Sequence, residues 1–175
     1  MTDADKKCKG DLVCIFLTTS EIFLKTTGNT PPLNLNSFEE LQLSEPLMKA
    51  VTELGFKTPS PIQAQALPLL LGEPTDFIGL AATGTGKTAA FSLPLLERID
   101  PNLHTLQALI LCPTRELAMQ VSGQIDLLGK YKKIKSMAIY GGAGYGDQIR
   151  GFQQGIPVVV STPGRFIDHM RKGTV

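Results

Sequence analysis

An excess of charge is missing from this chain: 17 Lys and Arg face 16 Asp and Glu over 175 residues. That balance excludes a general electrostatic field for a polyanion. Local phosphate binding stays open, because backbone N–H groups and helix N-termini hold anions without side-chain charge. Cysteine is scarce. Cys8, Cys14 and Cys112 show no metal-ligand spacing, and their odd number fits a reducing, cytoplasmic setting better than a disulfide framework. His104 and His169 have no partner at a functional spacing and are assigned no role. A long hydrophobic run is missing too. The most apolar N-terminal stretch, "LVCIFLTTSEIFL" (12–24), is interrupted by polar residues and too short to span a bilayer, so no membrane partner is expected. The preceding "MTDADKKCKGD" is mixed in charge, and no A-x-A-like site follows, unlike a signal peptide. Residues 1–34 therefore read as a poorly ordered N-terminal extension that ends in the turn-forming "GNTPPLNLN".

What is present is core-forming. With 42% hydrophobic residues, a 175-residue chain can bury one core but not two ordinary ones, so residues 35–175 read as one domain. "SFEELQLSEPLMKAVTELGF" carries an apolar stripe at Leu43, Leu47, Val51 and Leu54, which predicts a helix ending at Gly55. "SPIQAQALPLLLG" predicts a second helix, kinked or divided at Pro68. Four apolar runs follow, "DFIGLAA", "LQALILCP", "KSMAIYGG" and "IPVVVST". None alternates strictly with polar residues, as expected for strands covered on both faces. Each leads into a helical segment, so the units predict an α/β fold: a doubly wound parallel sheet with helices on both faces. Ligands in such sheets bind beyond the carboxyl ends of the strands.

"AATGTGKT" (81–88) lies between a strand and a helix start, the context of a phosphate loop. Gly84 and Gly86 let the backbone curl so that N–H groups and the helix dipole face an anion. Lys87 can reach the β- and γ-phosphates, and Thr88 can offer its hydroxyl to Mg²⁺. Ala81 replaces the first glycine of the common pattern, with a side chain still small enough for the turn.

Further motifs narrow the class. "GFKTPSPIQ" (55–63) with the upstream Phe38 resembles the Q motif of DEAD-box RNA helicases, and "AATGTGKT" resembles that family's motif I, which accounts for Ala81. "PTRELA" (113–118) resembles motif Ia, Gly141 and Gly142 resemble the GG motif, and "TPGR" (162–165) resembles motif Ib. The ordered set covers nearly everything from Phe38 onward. Ala82 stands where many members carry glutamine.

The resemblance implies a RecA-like P-loop NTPase domain with ATP and Mg²⁺ as cofactors. ATP would lie against Phe38, Phe56, Gln63, Ala82, Thr83, Gly84, Thr85, Gly86, Lys87 and Thr88, with Lys87 and Thr88 also serving catalysis and Thr88 meeting Mg²⁺. A glutamine amide offers a donor and an acceptor, so Gln63 can pair with adenine N6 and N7 together; Phe56 and Phe38 can cover the base. RNA would be held through its backbone, without sequence specificity, by Pro113, Thr114, Arg115, Gly141, Gly142, Thr162, Pro163, Gly164 and Arg165. Thr162 is the expected N-cap and Pro163 the first residue of the last helix. The basic run "KYKKIK" (130–135) reads instead as a solvated helix end.

The implied activity is ATP-dependent RNA unwinding by a monomeric protein with a second RecA-like domain. The D-E-A-D and S-A-T motifs expected of the family do not occur in these residues. The stretch accordingly reads as an N-terminal fragment, inactive by itself, whose sheet would have a gap beside the phosphate-loop strand. The alternatives are an adenine-nucleotide or RNA-binding module that never hydrolyses, and another P-loop NTPase.

Overall fold

The computed structural model describes residues 35–72 and 77–175, together with the backbone of 13–17 and 21–23. Six strands form one sheet: β1 (Val13–Leu17), β2 (Glu21–Phe23), β3 (Ile78–Leu80), β4 (Ala108–Leu111), β5 (Ser136–Ile139) and β6 (Val158–Ser161), in the order β3-β2-β1-β4-β6-β5. Six α-helices accompany them: α1 (Glu45–Glu53), α2 (Pro61–Leu71), α3 (Lys87–Arg98), α4 (Arg115–Leu128), α5 (Tyr145–Gln153) and α6 (Pro163–Arg171). The strand-then-helix alternation expected from "DFIGLAA" onward is present at all four places.

β4, β5 and β6 run parallel, with Ile110 opposite Val160 and Ala138 opposite the same residue. β1 is parallel to β4, while β2 is antiparallel to both β1 and β3, which leaves β3 pointing the same way as β4. The carboxyl ends of β3, β4, β5 and β6 therefore lie on one edge of the sheet.

Alternation along the strands loads both faces. Ala108, Ile110, Val158 and Val160 join the large core with Leu93 and Leu96 of α3 and Val121 and Ile125 of α4. Leu109 and Val159 point the other way, to Phe152 of α5 and Phe166 of α6. All four strand residues on the first face are fully buried, as in a strand with no solvated side.

Two expectations are corrected and a third is narrowed. The predicted gap beside β3 is not there, because β1 and β2 stand between β3 and β4. An unpaired strand edge is a template for any extended segment, and "VCIFL" has the β-branched and aromatic content that suits pairing. Two parts of the N-terminal stretch thus belong to the sheet; the rest of residues 1–34, and the expectation that it is poorly ordered, lie outside the described residues. The helix predicted across Ser37–Gly55 is two elements, a 3-10 turn at Phe38–Leu41 and α1, divided by Gln42 in the left-handed region at φ 51°. Leu43, Leu47 and Val51 are nonetheless buried, whereas Leu54 is exposed. Finally, of the two outcomes expected at Pro68, division is ruled out, because α2 runs through it as one helix.

Candidate nucleotide and nucleic-acid site

The phosphate loop leaves β3 at Leu80 and enters α3 at Lys87. Gly84 (φ 79°) and Gly86 (φ 89°) both occupy the left-handed region, where a side chain is strained, and Gly86 is the N-cap of α3. The first-turn N–H groups of that helix are consequently offered at the sheet edge. The Lys87 ammonium donates to the carbonyl of Ala81 and, at 3.0 Å, to that of Ala82; Thr85 donates its hydroxyl to the Ala82 carbonyl at 2.8 Å. Ala82, Thr83 and Gly84 are exposed, and Thr88 is half-buried in the first turn of α3. A triphosphate fits this cradle: its charge meets N–H groups and Lys87, and nothing lies within 4 Å of the space beside Gly84.

Gln63 is beside the loop and bonded to it. Its Oε1 accepts from the Ser60 N–H at 2.9 Å and its Nε2 donates to the Gly86 carbonyl at 3.1 Å, with the residue only 4% exposed. The side chain joins the start of α2 to the loop, with half of its hydrogen-bonding capacity spent on backbone. Phe38, at 2% exposure, is a core residue, its ring 6.0 Å from that of Phe56, which is partly buried.

The nucleic-acid candidates follow the other strands on the same edge. After β4, Thr114 caps α4, its hydroxyl accepting from the Leu117 N–H at 3.2 Å. Arg115, on the first turn, is exposed and paired with its neighbour Glu116 at 2.6 Å, a contact that raises the arginine pKa and lowers that of the glutamate. After β5, Gly141 and Gly142 face open space, Gly142 at φ 89°. After β6, Thr162 and Pro163 occupy the N-cap and first positions of α6 as expected, but the Thr162 side chain makes no capping bond; its backbone N–H instead donates to the Ile139 carbonyl at 2.9 Å. Pro113, Pro163 and Gly164 are exposed.

His169, given no role from sequence, is fully buried. It lies between Gln148 at 2.8 Å and Thr174 at 2.8 Å. Nothing in the spacing could reveal this, since Gln148 is on a different helix. The basic run, expected as a solvated helix end, instead makes packing contacts: Lys130 pairs with Glu53, and Lys132, partly buried, donates to the Leu96 and Glu97 carbonyls near the end of α3. No group of three or more His, Cys, Asp or Glu side chains among the described residues could hold a metal ion.

A family model described as DEAD/DEAH box helicase matches residues 60–175, which is most of the chain. The chain belongs to this DEAD/DEAH box helicase family. Among its relatives, the ATP-dependent RNA helicase DeaD of Klebsiella pneumoniae is 49% identical over 140 residues, covering 79% of this chain and 22% of DeaD. The DEAD-box ATP-dependent RNA helicase CshA of Bacillus subtilis is 47% identical over 139 residues, covering 79% and 28%. The helicase chain thus spans about a quarter of the length of these curated relatives. S. cerevisiae Dbp5 bound to RNA and ADP BeF3 superposes with a TM-score of 0.73 at 40% identity, over 80% of this chain and 35% of that one. A DEAD box protein from Methanococcus jannaschii gives 0.72 at 40% identity, over 81% and 38%. The α/β sheet with helices on both faces is the RecA-like helicase fold that these neighbours share.

Proposed function

We propose that this chain is the nucleotide-binding part of an ATP-dependent RNA helicase, in which ATP seated on the phosphate loop is coupled to the grip on an RNA strand. One observation carries this reading: the glycine loop at α3 and the N-termini of α4 and α6 all open on the same sheet edge, with Gly141 and Gly142 beyond α6, after the edge strand β5. Two ligands bound along one edge can influence each other through the loops that hold them. Dbp5, the similar protein described above, is bound to both RNA and a nucleotide analogue.

In this scheme the N–H groups of residues 84–88 bind the β- and γ-phosphates, and Lys87 turns from the Ala81 and Ala82 carbonyls toward them. Thr88 would hold the Mg²⁺ that accompanies the nucleotide, and the ion would supply positive charge toward the phosphates. Gln63 reports on the loop through Gly86, and its remaining N–H and lone pair are available to adenine. Phe56 covers the base. Pro113, Thr114, Arg115, Gly141, Gly142 and the Thr162–Arg165 turn receive successive phosphates of RNA, so binding is indifferent to base sequence. Arg115 exchanges Glu116 for a phosphate. Turnover needs acidic groups to hold Mg²⁺ and orient water, and no such cluster is found among the described residues. Hydrolysis and unwinding belong to the full-length protein, with a second RecA-like domain, acting as a cytoplasmic monomer.

The test is Lys87→Ala in the full-length protein, assayed for RNA-stimulated ATP hydrolysis. Loss of at least two orders of magnitude is expected for a group that stabilises transferring phosphate charge. Wild-type turnover in the variant would overturn the assignment.

A further inference from the structure

Two buried polar side chains behind the sheet edge have no place in the scheme above. Gln148 of α5 is 3% exposed and His169 of α6 is fully buried, and such groups persist in a core only when hydrogen-bonded. The Gln148 Nε2 donates at 3.2 Å to the carbonyl of Tyr140, the residue immediately before Gly141. That orients the amide, so Oε1 is the acceptor. It receives the His169 Nε2–H at 2.8 Å and an Arg165 Nη1–H at 3.4 Å. His169 Nδ1 is then the acceptor for the Thr174 hydroxyl at 2.8 Å, a tautomer assigned from these partners. The imidazole is held in place by Tyr145, stacked at 4.4 Å and 9°, and by the edge of Phe152 at 5.2 Å. The Arg165 guanidinium lies over the other aromatic partner of the network, Tyr145, at 5.2 Å.

From this arrangement we propose that Gln148, oriented by His169, is a positioning residue for RNA binding that sets Arg165 and the Gly141–Gly142 turn in one register. The inference rests on the RNA-binding reading of those residues. One amide reaches the backbone at the glycine pair with its nitrogen and the motif Ib arginine with its oxygen, so neither contact can shift without disturbing the other. A network that served only to pack α5 on α6 would have no reason to end on a loop carbonyl and on a half-buried cation. Arg165 has five donors. Gln148 engages one and Tyr145 covers one face, which leaves other donors to meet a phosphate.

The test is a double-mutant cycle in the full-length protein saturated with a non-hydrolysable ATP analogue, with oligouridine affinity measured as a function of salt. Arg165→Ala should weaken binding on the order of tenfold, as for a lost charge-assisted contact, and reduce the slope of log K against log salt by about 0.7, one single-strand phosphate. Gln148→Leu should reproduce most of both effects while ATP affinity is unchanged. The double variant should be weaker than Arg165→Ala by clearly less than the loss that Gln148→Leu causes alone, because the glutamine acts largely through the arginine and otherwise only through the Gly141–Gly142 turn. Additive losses, or wild-type binding by Gln148→Leu, overturn the positioning role. An Arg165→Ala variant that binds oligouridine as well as wild type overturns the RNA reading of motif Ib, and the inference with it. Should Gln148→Leu not fold, Gln148→Glu takes its place in the cycle. Its carboxylate keeps the acceptor for His169 but ties Arg165 in an ion pair, so the same loss and the same non-additivity are expected, and additivity refutes the proposal.

Discussion

Replacing Gly86 by alanine separates the contribution of the loop's backbone shape from that of its contact with Gln63. At φ 89° the alanine backbone is in the left-handed region, which costs about 1–2 kcal/mol. Its Cβ would stand 2.5 Å from Gln63 Nε2 and 3.2 Å from both Gln63 Cδ and Ser60 Oγ. Gln63 is buried and held at both ends of its amide, so moving it breaks bonds to Ser60 N–H and the Gly86 carbonyl, about 1 kcal/mol each. The sum is about 3–4 kcal/mol. Gly84→Ala has the same backbone penalty at φ 79° and nothing within 4 Å, so it should lose only about 1–2 kcal/mol. At about 2–4 °C per kcal/mol for a domain of this size, thermal unfolding of the Gly86 variant should begin a further 4–8 °C or so below that of the Gly84 variant. Both melts are read by circular dichroism with and without ATP. Equal midpoints, or a Gly86 variant that melts above the Gly84 one, would refute the claim that Gln63 is anchored on the loop.

Acidification should destabilise the fold through His169, whose pKa is lowered from the ordinary 6.5 by burial first and then by Arg165 and Lys172, with Asp168 opposing. The unfolded chain then binds the proton first, so stability falls as pH drops below about 6.5 and levels off below the folded-state value. Tyr145 and Gln148 face the ring from α5, and His169→Asn should remove the slope in denaturant titrations; an unchanged slope would show that other groups cause it. Cys112 is buried, and burial pushes its thiol up to about 12, so iodoacetamide at mildly alkaline pH should leave it unmodified in the native protein, as peptide mass spectrometry would reveal. Modification at the rate of the denatured chain would contradict that burial. Thr114→Ala removes the capping bond to Leu117 N–H and should cost about 1 kcal/mol, or roughly 2–4 °C in melting temperature.

The residue order alone determined the strand-then-helix alternation, the place of the glycine loop and the family, because each rests on short-range pattern: apolar runs of four residues, a Gly-x-Gly-Lys-Thr turn, and motifs whose spacing is local. Packing decided the rest. The bonds that hold Gln63 to Ser60 and Gly86, and the place of Phe38 in the core, were not legible, since burial is a property of neighbours brought in from elsewhere in the chain. The His169–Gln148 link joins helices that sequence spacing does not relate. The two N-terminal strands between β3 and β4 illustrate the same point: an apolar stretch has no preferred partner until a sheet presents an edge with unpaired N–H and C=O groups, and hydrogen bonding to that edge, not local propensity, decides where it lies.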